Sequence, residues 1–375
     1  MRSIAKSHKR SSTQTISTLP NEIIALISKA CPPSDHASLL RVSKRFHQLG
    51  VGSLYLSILL TSCAAVEKLH RTVVMLNTEL AKQIRNLRVL LLNPRELRTL
   101  LKVEFVIQLG AMLFKSINIE RLQIYMLGNL PPGQYALCVK NALPKCLTSL
   151  TLGFPWYTMR KRFFEALLAP LTSLEHFSLQ CDGSFRTEYS VDIEVTLPNL
   201  VSYHGPSLFL KSLAQGSKKL SSLILEVFTP SHFTEIRSEN QTLSHLSKFG
   251  SKDECGPDAA VLSFLKIVCD APEAANAVLE FIPQVEHFSL LCTSTEWITS
   301  ERLPSLTWHG PFKLDFLSRT PSIRKFSLHY VHSKQSLPWD MAQIATSLGE
   351  MNESLVEVNI YGNTYRRSVT TTGER

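Results

Sequence analysis

Charged residues are sparse in this sequence, 19% of 375 positions, and so are the patterns that announce chemistry. There is no GxGxxG or GxxxxGKS/T loop to cradle a phosphate, no HExxH to hold zinc and no GxSxG to present a nucleophile. These gaps argue against dinucleotide and nucleotide enzymes, zinc proteases and α/β hydrolases. The eight cysteines never pair as CxxC and form no Cys/His set at zinc-ligand spacing. They read as reduced, mostly buried thiols of an intracellular protein, in the cytoplasm and/or nucleus. The longest apolar run, Leu54 to Val66, is broken by Ser and Thr, and it falls short of the ~20 residues a membrane helix needs. The expectation is a non-enzyme with no metal, no cofactor and no membrane association.

Acid is scarcer than base, giving a formal net charge of +9 and a pI near 9.1. The basic clusters are Arg2, Lys6, Lys9 and Arg10, and later Arg160, Lys161 and Arg162. Neither is interleaved with the aromatics of a base-stacking platform, so no nucleic-acid partner is expected. Residues 1–17 hold no acid and no continuous apolar core of a secretory signal, and are expected to be a disordered basic tail. A second tail is expected over 367–375. Apolar residues make up 44% of the chain, enough to bury a core, with room for a small module followed by a long repeat array.

The small module comes first. Leu19-Pro20-Asn21-Glu22-Ile23-Ile24 opens a helix with proline at the first helical position and an acid facing the positive end of the dipole. Ile23, Ile24, Ile27 and Ala30 recur at helical spacing, and Pro32-Pro33 ends the run. Ser34 is expected to cap a second helix carrying Leu39, Val42 and Phe46 on one stripe, with Leu40 beside it and Arg41, Lys44 and Arg45 pointing away. A third helix is expected to carry Val51, Leu54, Tyr55 and Ile58, with Gly50 and Gly52 each costing about 1 kcal/mol of helix propensity. A module this small with surplus apolar surface calls for a partner.

In order, spacing and residue type, these segments, with Ser38 to Phe46 and Leu54-Tyr55, resemble the F-box; Ser43 stands where many members carry Cys. The resemblance spans residues 18–61. It implies a three-helix module that binds the Skp adaptor, and through it a cullin, using Leu19, Pro20, Ile23, Ile27, Leu39, Leu40, Val42 and Phe46.

Behind it a Leu-x-x-Leu-x-Leu pattern keeps returning, with other aliphatics or Phe substituting. Copies stand at Leu87/Leu90/Leu92, Ile119/Leu122/Ile124, Leu147/Leu150/Leu152, Leu174/Phe177/Leu179, Leu197/Leu200 and Leu220/Leu223/Leu225. More follow at Val285/Phe288/Leu290, Leu303/Leu306, Ile323/Phe326/Leu328 and Leu355/Val358/Ile360. Most steps lie near the period of roughly 20–29 residues of leucine-rich repeats. A long gap after Leu220 is expected to hold an insertion near 229–260 and a helical unit from Ala259 to Phe281. Leu174-Glu175-His176-Phe177-Ser178-Leu179 is echoed by Val285-Glu286-His287-Phe288-Ser289-Leu290, and His204-Gly205-Pro206 by His309-Gly310-Pro311.

The series resembles the irregular leucine-rich repeats that follow an F-box in fungal-type proteins. It implies an α/β horseshoe solenoid over 62–366. The rival, a doubly wound α/β domain, wants a glycine-rich loop after its first strand. Outward positions between core residues supply a candidate substrate face: His176, Ser178, His287, Trp308, Lys325, His329 and Tyr361. His204 and His309 read as turn residues after a strand.

Three functions fit. The chain is expected to be the substrate-recognition subunit of a Skp–cullin–F-box ubiquitin ligase with an unknown protein target. The alternatives are a non-degradative F-box/repeat scaffold and a basic repeat protein binding an acidic partner or RNA.

Overall fold

The computed structural model describes residues 19–92, 103–126, 142–153, 161–180, 193–206, 209–227, 262–269, 285–292, 317–318, 320–330, 341–360 and 362–367. Both tails except Arg367, the insertion near 229–260, Trp308, Tyr361 and the copy at Leu303/Leu306 lie outside these residues.

The described chain opens on a helical bundle: α1 (Asn21–Ala30), α2 (Pro33–Leu39) and α3 (Lys44–Leu54). Pro20 is the N-cap of α1, one position before its expected place, and its carbonyl accepts from the Ile24 N–H at 3.2 Å. Cys31 is extended ahead of Pro32 and stops the helix. The second helix opens at Pro33 behind an extended Pro32, so Ser34 is not its cap.

The stripe from Leu39 to Phe46 is not one helix. The chain turns at Leu40–Val42, and the Ser43 hydroxyl accepts from the Phe46 N–H at 3.2 Å to start α3. A serine hydroxyl competes with the helical ladder and does better as a cap than inside it. Arg45, expected to point away, reaches back to the start of α1. It donates to the Leu19 carbonyl at 2.6 Å and to Asn21 Oδ1 at 2.7 Å.

Ile58 belongs to β1 (Ser57–Leu60) and not to a third helix. After it come α4 (Cys63–His70), continued by a π-helical turn at Arg71–Leu76, then α5 (Thr78–Ala81), β2 (Asn86–Leu91), α6 (Val103–Lys115), β3 (Arg121–Met126) and β4 (Ser149–Gly153). Next are α7 (Lys161–Leu168), β5 (His176–Gln180), β6 (Ser202–Pro206), α8 (Leu210–Gly216) and β7 (Ser222–Val227). The chain closes with β8 (Phe264–Cys269), β9 (His287–Cys292), β10 (Lys325–Tyr330), α9 (Met341–Met351), β11 (Glu357–Ile360) and β12 (Asn363–Arg366). The strands form one twelve-stranded sheet in chain order. Every pairing is parallel except the last, where Gly362 at φ +88° allows the tight return of β12.

Most parallel neighbours join by the same device. The Glu120 carbonyl accepts both the Thr148 and Ser149 N–H groups, and Thr148 then offers its carbonyl to Glu175 and His176. Glu175, Val201, Ser221, Glu286 and Arg324 repeat the arrangement. A side chain in the turn before the strand often adds a second tie. Asn118 Nδ2 reaches the Lys82 carbonyl at 2.8 Å, Cys146 Sγ the Ile117 carbonyl at 3.2 Å, and Asn199 Nδ2 the Thr172 carbonyl at 3.0 Å.

The apolar triplets line one core shared with the helices behind the sheet. Those starting at Ile119, Leu147, Leu174, Leu220, Val285, Ile323 and Leu355 are buried as expected. Elsewhere the reading needs correction. In the first copy the buried set is Ile84/Leu87/Val89, while Leu92 is exposed. In the β6 copy it is Leu200/Tyr203/Gly205, because Tyr203 pairs with Phe177 in the ladder. Tyr203 joins Phe164, Phe177 and Phe209 in an aromatic group with ring centroids 5.4–5.8 Å apart. Its hydroxyl donates to the Pro206 carbonyl at 2.7 Å, across Gly205.

Phe264–Cys269 is a strand where a helical unit was expected, and Leu262/Leu265/Ile267 supply the same triplet. β9 pairs directly with β10.

Candidate functional site

Two surfaces can meet a partner. On the bundle, α1 exposes Ile23 and Leu26 (41% and 61%), and the α2–α3 turn exposes Val42 (63%). Pro20 is exposed, and Leu19, Ile27 and Leu39 are half-buried. Leu40 and Phe46 are core residues, 7% and 2% exposed, so the bundle does not present them. Leu40 packs toward Gly50 of α3. Leu26 was not anticipated, although it lies one turn from Ile23 and Ala30. Gly50 sits where the three helices crowd together. A Cβ there would meet Leu40 Cδ2 at 2.6 Å, Ser28 Oγ at 2.9 Å and His36 Nε2 at 3.0 Å.

The second surface is the sheet face opposite the helices. Alternate strand residues point there, and the ladder sets their neighbours. His287 is directly opposite Lys325, and His329 lies beside Leu291 one strand over. Burial, and then the positive charge of Lys266, hold the His329 imidazole below its usual value of 6.5. His176 and Ser178 sit apart from that group, on β5. The His176 Nδ1 is 2.8 Å from Ser202 Oγ.

His204 is inside β6, not in a turn. The Ser178 hydroxyl is 3.3 Å from its Nδ1, and its Nε2 lies 3.0 Å from Glu226 Oε1. With the Nε2–H tautomer, Ser178 donates to the ring and the ring donates to the carboxylate. The Glu226 side chain is only 10% exposed, and its Oε2 is buried with no hydrogen-bond partner.

Further along the same face Arg88 Nε donates to Gln123 Oε1 at 2.7 Å, and Gln123 and Gln180 lie near the Tyr125 phenol. Burial pushes the Tyr125 phenol up, and the Glu226 charge adds to that. A polar band thus runs from β2 to β7. Glu226 and Tyr125 were not singled out from the sequence, yet each occupies an outward position of a copy. Reading outward positions in every copy would have found them.

Ser178, His204 and Glu226 have the order of a catalytic triad. Ser178, however, is flanked by paired strands, with Thr151 on one side and His204 on the other. Its neighbouring strand amides are held in the ladder and are not themselves free to stabilise an oxyanion. The constellation is built to hold a carboxylate in place.

No curated protein matches the sequence. Residues 16–50 match the family model of the F-box domain, and the helical bundle that opens the described chain is therefore an F-box domain.

Proposed function

We propose that this chain is the substrate-recognition subunit of a Skp–cullin–F-box ubiquitin ligase. The F-box at residues 16–50 carries the reading, because its role in such ligases is to dock on a Skp-type adaptor and thereby on a cullin. The exposed apolar group of Ile23, Leu26 and Val42 supports it, since a small domain seldom leaves such side chains without a partner. The residues that follow, to about 366, are irregular leucine-rich repeats of a solenoid, like those of fungal-type F-box proteins. Supporting this are the recurring triplets, the repeated carbonyl device and the turn donors Asn118, Cys146 and Asn199.

The open sheet face holds the target protein. The chain contributes no chemistry of its own; it raises the effective concentration of a target lysine near a charged conjugating enzyme. It acts in the cytoplasm or nucleus.

The test separates surface from core. Ile23→Glu with Val42→Glu abolishes co-purification with a Skp-type adaptor and cullin and leaves the melting temperature unchanged. Phe46→Ala lowers stability by about 3–5 kcal/mol through a core cavity. Undiminished adaptor capture by the double surface variant overturns the assignment. Capture of the adaptor without a cullin favours a non-degradative scaffold.

A further inference from the structure

The outward side chains of β8, β9 and β10 form a block of one charge sign on the open face. His287 is opposite Lys325 at one end of it, and Leu291 is opposite His329 at the other. Between them Lys266, Ser289 and Ser327 lie side by side on the three strands. With strands about 4.8 Å apart and a rise of about 3.3 Å per residue, the block measures roughly 10 by 13 Å. Lys325 is exposed, and Lys266, His287, Ser327 and His329 are half-buried. Each of these five side chains therefore offers surface to an incoming group.

The positive charge has no internal answer. On the flanking strands the outward acids are Glu226, opposite Val268, and Glu357, opposite Lys325. Both are already engaged, Glu226 with His204 at 3.0 Å and Glu357 with Arg366 at 3.0 Å. Among the described residues no carboxylate pairs with Lys266 or Lys325. The Lys266 charge is felt at His329, two strands away, where it adds to burial in disfavouring the imidazolium. The outward positions of β4 to β7 carry no Lys or Arg, so this charge is local to β8–β10.

The rest of the block says what kind of anion fits. Phe264 and Val268 flank Lys266 along β8, and they and Leu291 are half-buried. Apolar ground between cations suits a peptide that alternates acidic and apolar side chains. A nucleic-acid strand would want several stacking aromatics, and Phe264 is the single aromatic ring in the block.

We propose that the outward block of β8–β10, with Lys266 and Lys325 as its cations and Phe264, Val268 and Leu291 as its apolar ground, binds an acidic segment of the target protein. This rests on the reading of the chain as a substrate receptor and names the class of segment it receives.

The test uses the full-length chain and a displayed library of random dodecapeptides, followed by fluorescence anisotropy on the recovered sequences. Selection on the wild-type chain enriches Asp and Glu, and exchanging those residues for Asn and Gln weakens binding at least tenfold. Raising NaCl from 50 to 300 mM weakens the acidic peptides and spares their amide versions. Lys266→Gln with Lys325→Gln binds acidic and amide peptides alike. Lys68→Gln with Lys115→Gln removes the same charge from exposed positions on α4 and α6 and keeps the preference. Should the first pair not fold, Lys325→Gln alone carries the comparison, with at least a threefold loss for the acidic peptides.

Recovery of no peptides, or of peptides without an acidic preference, overturns the site. So does a preference that survives the Lys266 and Lys325 exchange, or one lost equally in the control pair, which would make it an effect of net charge. Displacement of the acidic peptides by an equal concentration of dodecathymidylate overturns it in favour of nucleic acid. Capture of adaptor and cullin by a chain without an acidic preference removes this site alone. An acidic preference in a chain that captures no adaptor upholds the site and removes the ligase reading.

Discussion

The ring of Tyr125 lies directly on Gly153 of the neighbouring strand, so closely that a Cβ at position 153 would meet Tyr125 Cδ1 at 2.2 Å. The glycine is what lets the ring lie flat over the neighbouring strand. Gly153→Ala is expected to lift the ring off the sheet and cost about 1–3 kcal/mol in urea unfolding. In a Tyr125→Ala background the same change should cost less than half as much, because the clash has gone. A penalty that is the same in both backgrounds would mean that the contact does not set the conformation.

Gly50 and Gly52 look alike in the sequence but stand in different places. Gly50 is pressed against Leu40, Ser28 and His36, whereas a Cβ on Gly52 would meet only Gln83, at an ordinary 3.6 Å. Alanine gains up to about 1 kcal/mol of helix propensity over glycine at either site. At Gly52 nothing opposes that gain, so Gly52→Ala should stabilise the protein. At Gly50 the backbone and its packed neighbours must separate, and Gly50→Ala should destabilise by about 1–3 kcal/mol. Thermal melts of the two variants should move in opposite directions; movement in the same direction would refute the close-packing account.

These cases show where the sequence was legible. Triplets such as Leu147/Leu150/Leu152 announced their strands because their apolar period and turn spacing are local properties. The strand at Phe264 was hidden by the long segment before it, although Leu262, Leu265 and Ile267 carry the same signature. The β6 copy was misplaced by three residues because Tyr203 and Gly205 stand in for aliphatic residues.

The crossing at Gly50 and the band from Arg88 to Glu226 depend on which elements touch, and no local pattern encodes that. Ser178 could be picked as outward-facing. Its partnership with His204 required the β5–β6 register, and that of His204 with Glu226 required the β6–β7 register.

His329 gives the fold a pH dependence of calculable sign. Its imidazole is held below the usual 6.5 by burial and by the charge of Lys266, and Lys325 and His287 lie at the other end of the same strand pair. Well above pH 6.5 the ring is neutral in the folded and unfolded chains, and stability does not depend on its titration. As pH falls through 6.5 the unfolded chain takes up a proton that the folded chain resists, so stability is lost until the pH passes below the folded value. His329→Gln removes this contribution. Between pH 7.5 and 5.5 the wild type should therefore lose more melting temperature than the variant. Lys266→Met should give a smaller change in the same direction, since the lysine charge is the lesser of the two causes. Equal acid sensitivity in wild type and His329→Gln would place the titrating group elsewhere.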